Sequence, residues 1–359
     1  MAYTVIDKPS DYFNTVLYTG NNGAQTVTGV GFQPDWVWIK DRDGTERHCL
    51  TDSVRGVLKE LRSNENAAES DRSAGNSGVA GVSAFNSDGF VLVHDDGYND
   101  NNSSQVSWNW RAGTAFSNDA SSTGVGSIDS AGSVNTDAGF SIIRYGGTGS
   151  LGTVAHGLGV APSFIAFKRL DTTGNWVNYH KSIGATKYLR FDGTQAEITA
   201  SDEFNDTEPT STVFTVETDG AVNASGTNNI IAYCFAEVKG YSKFSTYVGN
   251  GDNNGPFVFT GMKPAFVIAK KSSAAGGNWV TSDIARSDVP NANVNDQVLY
   301  SNLNNSEESS VGLSIDLLSN GFKVRGNGGD RNTSGATYIY LAFASSPFTT
   351  STGIPTTAR

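Results

Sequence analysis

The chain repeats itself three times, and that triplication constrains its fold more than any single motif does. A Gly and a Pro three residues apart introduce an apolar strand at Gly31 and Pro34, at Gly159 and Pro162, and at Gly261 and Pro264. His48, Trp176 and Trp279 stand at matching distances after each Pro, and Asp52, His180 and Asp283 follow each of them four positions later. LRSN, LRFD and LYSN come next, opened by Leu61, Leu189 and Leu299. SDGFVL, TDGAVN and SNGFKV then supply a turn glycine at Gly89, Gly220 and Gly321, and VSWNWRA, IAYCFAE and YLAFASS close the copies. Five landmarks in one order define a tandem repeat, in which function is to be sought copy by copy.

Composition then selects the class. Among 359 residues there are 41 Gly, and charged residues reach only 17%. With Ser, Thr and Asn abundant and Leu sparse, this favours many short strands and turns over helices. Period-two alternation at Val37 and Ile39 and at Val106, Trp108 and Trp110 reads as strand with one face buried. The expected architecture is all-β: three tandem β-sandwich repeats of jelly-roll or lectin-like type. The copies are expected over 15–113, 138–240 and 241–348, with an N-terminal arm over 1–14 and a C-terminal tail over 349–359. The stretch 114–137, rich in Gly, Ser and Asn, reads as a linker. Helix propensity is concentrated in TDSVRGVLKELRSNENAAES, but its counterparts alternate, so a short strand and a loop are expected there, with at most one helical turn over 64–70.

A net charge of −11 and a pI near 4.8, with no cluster of Lys and Arg, argue against nucleic acid as a partner. The N-terminus has neither the basic nor the apolar region of a secretory signal, and no apolar run approaches 18 residues, so neither secretion nor membrane insertion is expected. Cys49 and Cys234 occupy non-equivalent positions, which suits unpaired structural thiols better than a disulfide framework.

Candidate chemistry is sparse. Glycan-cleaving sites need paired carboxylates. The pairs on offer are Asp95 with Asp96 or Asp100, Glu203 with Asp206, and Glu307 with Glu308, all in polar loops where solvated turn acids are the plainer reading. His48, His94, His156 and His180 lack a nucleophile in recognisable context, and His48 stands where the other copies have Trp. HDDGYNDNN, GNGDNN and GNGGDRN offer oxygen ligands of the kind Ca²⁺ prefers, without the spacing of a calcium loop, so no cofactor is expected and Ca²⁺ is the one metal entertained. These loops remain candidates for contacting a partner, with Asp95, Asp96, Tyr98 and Asp100 foremost. Trp176 and Trp279 could stack on a sugar ring, although their repeated position favours packing. Trp36, Trp38, Trp108 and Trp110 form an apolar stripe facing a core or another subunit.

FQPDWVWIKDRDG, AGFSIIRYGGTGS, HGLGVAPSFIAFKR, NWVNYHKSIG, IIAYCFAEVKGYSKFSTYVGNG, GPFVFTGMKPAFVIAKK, TYIYLAFASSPF and TGIPTTAR together resemble a family of virion structural proteins from marine tailed bacteriophages. The resemblance covers essentially the whole chain. It implies a lectin-like β-sandwich fold and a protein of tail-fibre, spike or head-decoration type, exposed on the particle, with other virion proteins as partners. The first expectation is a fibre or spike adhesin, a homotrimer that binds host-surface polysaccharide; the alternative is head decoration or tail assembly without sugar binding, and a glycan depolymerase ranks last. The resemblance brings no catalytic residues with it.

Overall fold

Each copy forms its large sheet from the strands that the alternation marks. In the first, Phe13–Thr19, Ser104–Trp110, Trp36–Asp41 and Cys49–Asp52 pair in that order, all antiparallel. The second repeats the order with Phe140–Tyr145, Ile230–Phe235, Phe164–Arg169, Val177–His180 and Lys187–Arg190. The third does so with Ser242–Val248, Thr337–Pro347, Met262–Lys271, Trp279–Asp283 and Gln297–Tyr300. The structure is a computed structural model describing residues 4–73, 79–227, 229–287 and 294–356.

A smaller sheet covers one face of each large one. It consists of Gln25–Thr28, Gly89–Val93 and Gly81–Asn86 in copy 1, of Gly152–Ala155 and Val213–Val216 in copy 2, and of Phe257–Phe259, Gly321–Val324 and Ile315–Leu318 in copy 3. Alternation sends Val37 and Ile39 into the core beneath the first small sheet, with Phe90 and Leu92. Ile165 and Phe167 enter the second core with Phe214, and Val267 and Ala269 the third with Phe322. Each copy is thus a β-sandwich and the chain is all-β, as expected.

The opposite faces of the three large sheets meet one another. Trp36, Trp38, Trp108 and Trp110 from copy 1 share a single core with Phe164, Tyr233 and Phe235 from copy 2 and with Phe266, Leu341 and Phe343 from copy 3. The rings pack directly: Trp36 on Tyr233 at 4.5 Å between centroids, Phe235 on Phe343 at 5.6 Å, Trp110 on Phe266 at 5.8 Å. A sheet buried on both faces needs apolar residues at consecutive positions, which explains runs such as WVWI and FIAF. The tryptophan stripe therefore faces the other copies of the same chain, and the repeats are sandwiches joined through a common core.

Two local readings need correction. The presumed linker is folded: Thr114–Asn118 and Ser130–Asn135 form a hairpin on the edge of the second large sheet, with a helical turn at Ala120–Thr123 capped by Asp119. Most residues of its outer strand are exposed, so its polar composition resembles that of a spacer. Gly220 is not the counterpart of Gly89 and Gly321 but begins the helical turn Gly220–Asn223, equivalent to Asp96–Asn99 and Gly329–Asn332. Over 64–70 strand and loop prevail, as expected. The arm lies against copy 3, and Asp7 accepts hydrogen bonds from the Ser351 amide and hydroxyl, both at 2.6 Å, bringing arm and tail together. Residues 1–3 of the arm and 357–359 of the tail lie outside the described residues.

Candidate functional site

Where copies meet, one position repeats around the molecule. The Trp176 indole Nε1 of copy 2 donates to the Arg62 carbonyl of copy 1 at 2.8 Å, and the Trp279 Nε1 of copy 3 donates to the Arg190 carbonyl of copy 2 at 2.9 Å. His48 of copy 1 closes the ring with its Nε2 at 3.0 Å from the Tyr300 carbonyl of copy 3. Trp38 Nε1 donates to His48 Nδ1 at 2.9 Å, so Nε2 carries the proton and imidazole reproduces the indole N–H. Burial holds the His48 pKa well below the usual histidine range. Trp176 and Trp279 are 1% and 0% exposed, leaving no ring face for a sugar; they pack.

A second position repeats nearby, a lysine that crosses to the neighbouring copy in copies 2 and 3 and stays on Asp41 and Gly44 of its own copy in copy 1. Lys40, Lys168 and Lys270, equivalent in the three copies, are buried and donate to the carbonyl of the following residue. Lys168 Nζ also reaches the Asn66 carbonyl of copy 1, and Lys270 Nζ the Gln195 carbonyl of copy 2. Desolvation pushes all three down to about 8. Backbone bonds follow the same cycle, from Glu69 N to Leu170 O, Glu197 N to Ser272 O, and Glu307 N to Arg42 O. Two junctions also carry buried charge. Asp52 pairs with Arg55, which reaches Glu69, and Asp283 pairs with Arg286, which reaches Glu307. Copy 2 has His180 and Ile183 at these positions, so it lacks the anion and the cation together.

The acid-rich loops are held internally. Asp95, 4% exposed, caps the turn Asp96–Asn99 through the Gly97 amide and is ion-paired to Arg47 at 2.7 Å and to Arg72. Tyr98 is buried with its hydroxyl on Thr51. Asp96 is exposed and Asp100 half-buried, so of these four loop candidates only Asp96 is freely presented to solvent. The turn ends in Asn99, whose side chain clamps the facing loop: Oδ1 accepts from Asn21 N and Nδ2 donates to Gly23 O. Asn223 clamps Thr148 and Ser150 in the same way, and Asn332 clamps Asn250 and Asp252. Of the Asp-Asn-Gly loops, 94–102 and 326–332 thus carry the clamping asparagines Asn99 and Asn332, and 249–254 supplies partners to Asn332. This threefold Asn was not singled out from the sequence, although Asp-Asp-Gly, Asp-Gly and Gly-Gly precede it by two or three residues in the copies.

The remaining titratable candidates are dispersed. Glu307 is bound by Arg42 and Arg286, Glu308 accepts from the Tyr300 hydroxyl, and Glu203 lies buried, pushed up to about 7 mainly by desolvation. Asp206 is exposed at a positive φ. His156 Nε2 donates to the Thr210 carbonyl while Nδ1 accepts from Leu158 N; His180 Nδ1 accepts from Ser182 N. Burial pushes both down to about 4. His94 is half-buried, with Nδ1 at 3.3 Å from the Asn22 carbonyl. Both cysteines are buried and unpaired. Among the described residues, Cys49, Glu60 and Asp95 bring potential metal ligands within 4.8 Å of one another. Arg47 and Arg62 already neutralise Glu60, Arg47 and Arg72 neutralise Asp95, and burial drives the Cys49 thiol upward, away from the thiolate a metal would need.

One family model, described as a domain of unknown function (DUF7483), matches residues 8–347. The chain belongs to the DUF7483 family. No curated protein and no solved structure matches it. The DUF7483 match runs through all three copies as one unit, in keeping with their common core.

On the surface of this DUF7483 chain, two clefts of about 330 and 460 Å³ flank Gly113, where copy 1 passes into the hairpin. Arg111 and Asp137 line one, Ser53 and Arg144 the other. No helix among the described residues is long and apolar enough to cross a membrane. The most exposed aromatic pair, Phe257 and Phe259, lies on the small sheet of copy 3.

Proposed function

We propose that this protein is a structural component of a tailed-phage particle, acting through its outer surface as a decoration or assembly module. One observation carries the reading: the copies' tryptophans, lysines and charged triads are directed inward, into the rings that join the three sandwiches. Such a body is suited to rigid attachment, and the resemblance to virion proteins supplies the setting. The threefold arrangement that a fibre reaches with three chains is made here within one, so a homotrimer is not required for it. The proposal is tested by locating the protein on particles by electron cryomicroscopy and by adding antibody to adsorbing particles. Copies at regular lattice positions, with adsorption unaffected, are expected.

The second reading is a tail-fibre or spike adhesin for host-surface glycan, favoured by Phe257 and Phe259 as an exposed aromatic surface. It requires binding of the purified protein to host cells that disappears after periodate oxidation of their sugars. Saccharide release in the same assay would instead point to a depolymerase.

A further inference from the structure

We infer that the Phe257–Phe259 strand pairs edge to edge with the same strand of a second copy, joining two small sheets across a twofold axis. The strand lies at the edge of its sheet, bonded on one side only to Gly321–Val324. Val324 N donates to Pro256 O and Thr260 N to Asn320 O, so positions 256, 258 and 260 face inward in the antiparallel ladder. The N–H and C=O of Phe257 and Phe259 therefore face outward. Their side chains lie on one face of the sheet, 47% and 60% exposed.

The other copies show how this edge is treated when it stays unpaired and when it is covered. In copy 1 the equivalent positions are Thr26 and Thr28, fixed by pairing beside Phe90 as Phe257 and Phe259 are beside Phe322. In copy 2 the equivalent of Phe257 is Thr153, and there the outward groups are satisfied. Thr153 O accepts from Ser127 N and Ile128 N, and Thr153 N donates to Ser127 Oγ at 2.9 Å. A segment of the chain itself thus lies along the copy 2 edge, bridging Ile128 to Val154. Copy 3 has the same geometry, two large aromatics and no covering segment among the described residues.

The strand is its own complement. Setting Phe257 opposite Phe259 of the other copy, with Val258 on the axis, aligns all four outward N–H and C=O pairs and stacks two Phe–Phe pairs on one face. Edge strands normally carry charged or proline gatekeepers against such pairing, and this one has none between Pro256 and Thr260. The contact is small, so the dimer is weak in free solution, on the order of 100 µM, and is reinforced where copies are crowded on a surface. With a net charge of −11 on each copy, screening by salt strengthens it.

The test is sedimentation equilibrium of the full chain from about 5 to 500 µM, at low and high salt, beside the F257T/F259T variant. That variant carries the residues of copy 1, and its circular dichroism and melting temperature establish that it folds. A dimer that grows with concentration and salt, and falls at least tenfold in affinity in the variant, is expected. Wild-type protein that stays monomeric throughout, or a variant that dimerises equally well, overturns the inference. Phe-dependent binding of oligosaccharide by a strictly monomeric wild type also overturns it and assigns the pair to sugar.

Discussion

His48 shows how a residue can leave a repeat pattern while preserving its chemistry. Copies 2 and 3 place an indole N–H on a carbonyl of the preceding copy; copy 1 places an imidazole N–H there and turns its second nitrogen toward Trp38. The hydrogen bond, more than ring size, is what the position requires. Trp176→Phe keeps most of the ring and leaves the Arg62 carbonyl unpaired, so urea titration should show a loss of about 2–4 kcal/mol with an unchanged m value. Neutrality of the buried histidines gives a second expectation. His156 and His180 titrate near 4 when folded, below the 6.5 expected when unfolded. Between those values the unfolded chain binds more protons, so the stability present above about pH 6.5 is lost as pH falls toward 4. Between pH 7.5 and 5 the two together should remove on the order of 4 kcal/mol, measured as a shift in urea midpoint. Replacing both with Gln should remove their share of the slope and leave that of buried His48, and an equally steep slope in the replaced protein would assign it to other groups.

At the scale of elements, the strands were legible and their surroundings were not. Alternation and β-branched or aromatic content located Trp36–Asp41, Phe164–Arg169 and Ser104–Trp110, because burial of side chains leaves a periodic trace. The hairpin over 114–135 left none, since its outer residues face water and read as a spacer. The loop candidates were misjudged for a related reason: Asp95 and the Asn-rich loops look like ligands for something external until the buried Asn99, Asn223 and Asn332 show what they bind. Asn332→Ala removes several hydrogen bonds to the 249–254 loop, and hydrogen exchange should show that loop losing protection. Gly249→Ala should do the same, because its Cβ would lie 2.4 Å from the Thr333 carbonyl. The charged junctions allow a sharper test. Arg55→Ala strands the buried Asp52 and should cost about 3–5 kcal/mol. Replacing Asp52 and Arg55 with the His and Ile of copy 2 should cost less than the two single changes summed, since anion and cation leave together. Additive costs in that double-mutant cycle would contradict the pairing.

The whole molecule is a closed cycle, and closure is what the sequence could not display. Three copies predict three sandwiches, but contact between copy 3 and copy 1 is a long-range property that no local window records. It rests on residues far apart in sequence: Arg42 with Glu307, Trp108 Nε1 donating to Asp283, Phe13 stacked on Phe343, and the arm's Pro9–Asp11 turn against Thr337–Pro347. Each sandwich buries its second large-sheet face only against the other two. A copy isolated as residues 114–240, with its hairpin, would therefore expose Phe140, Phe164, Trp176, Tyr233 and Phe235 to water, an apolar patch far beyond what a monomeric domain tolerates. Such a fragment should fail to show a cooperative thermal transition and should bind a hydrophobic dye. The full chain should melt once, with calorimetric and van't Hoff enthalpies equal, because no copy has a complete core of its own. Three resolved transitions, or a fragment that melts cooperatively on its own, would mean that each small-sheet core suffices alone and that the central aromatic core only joins domains already folded.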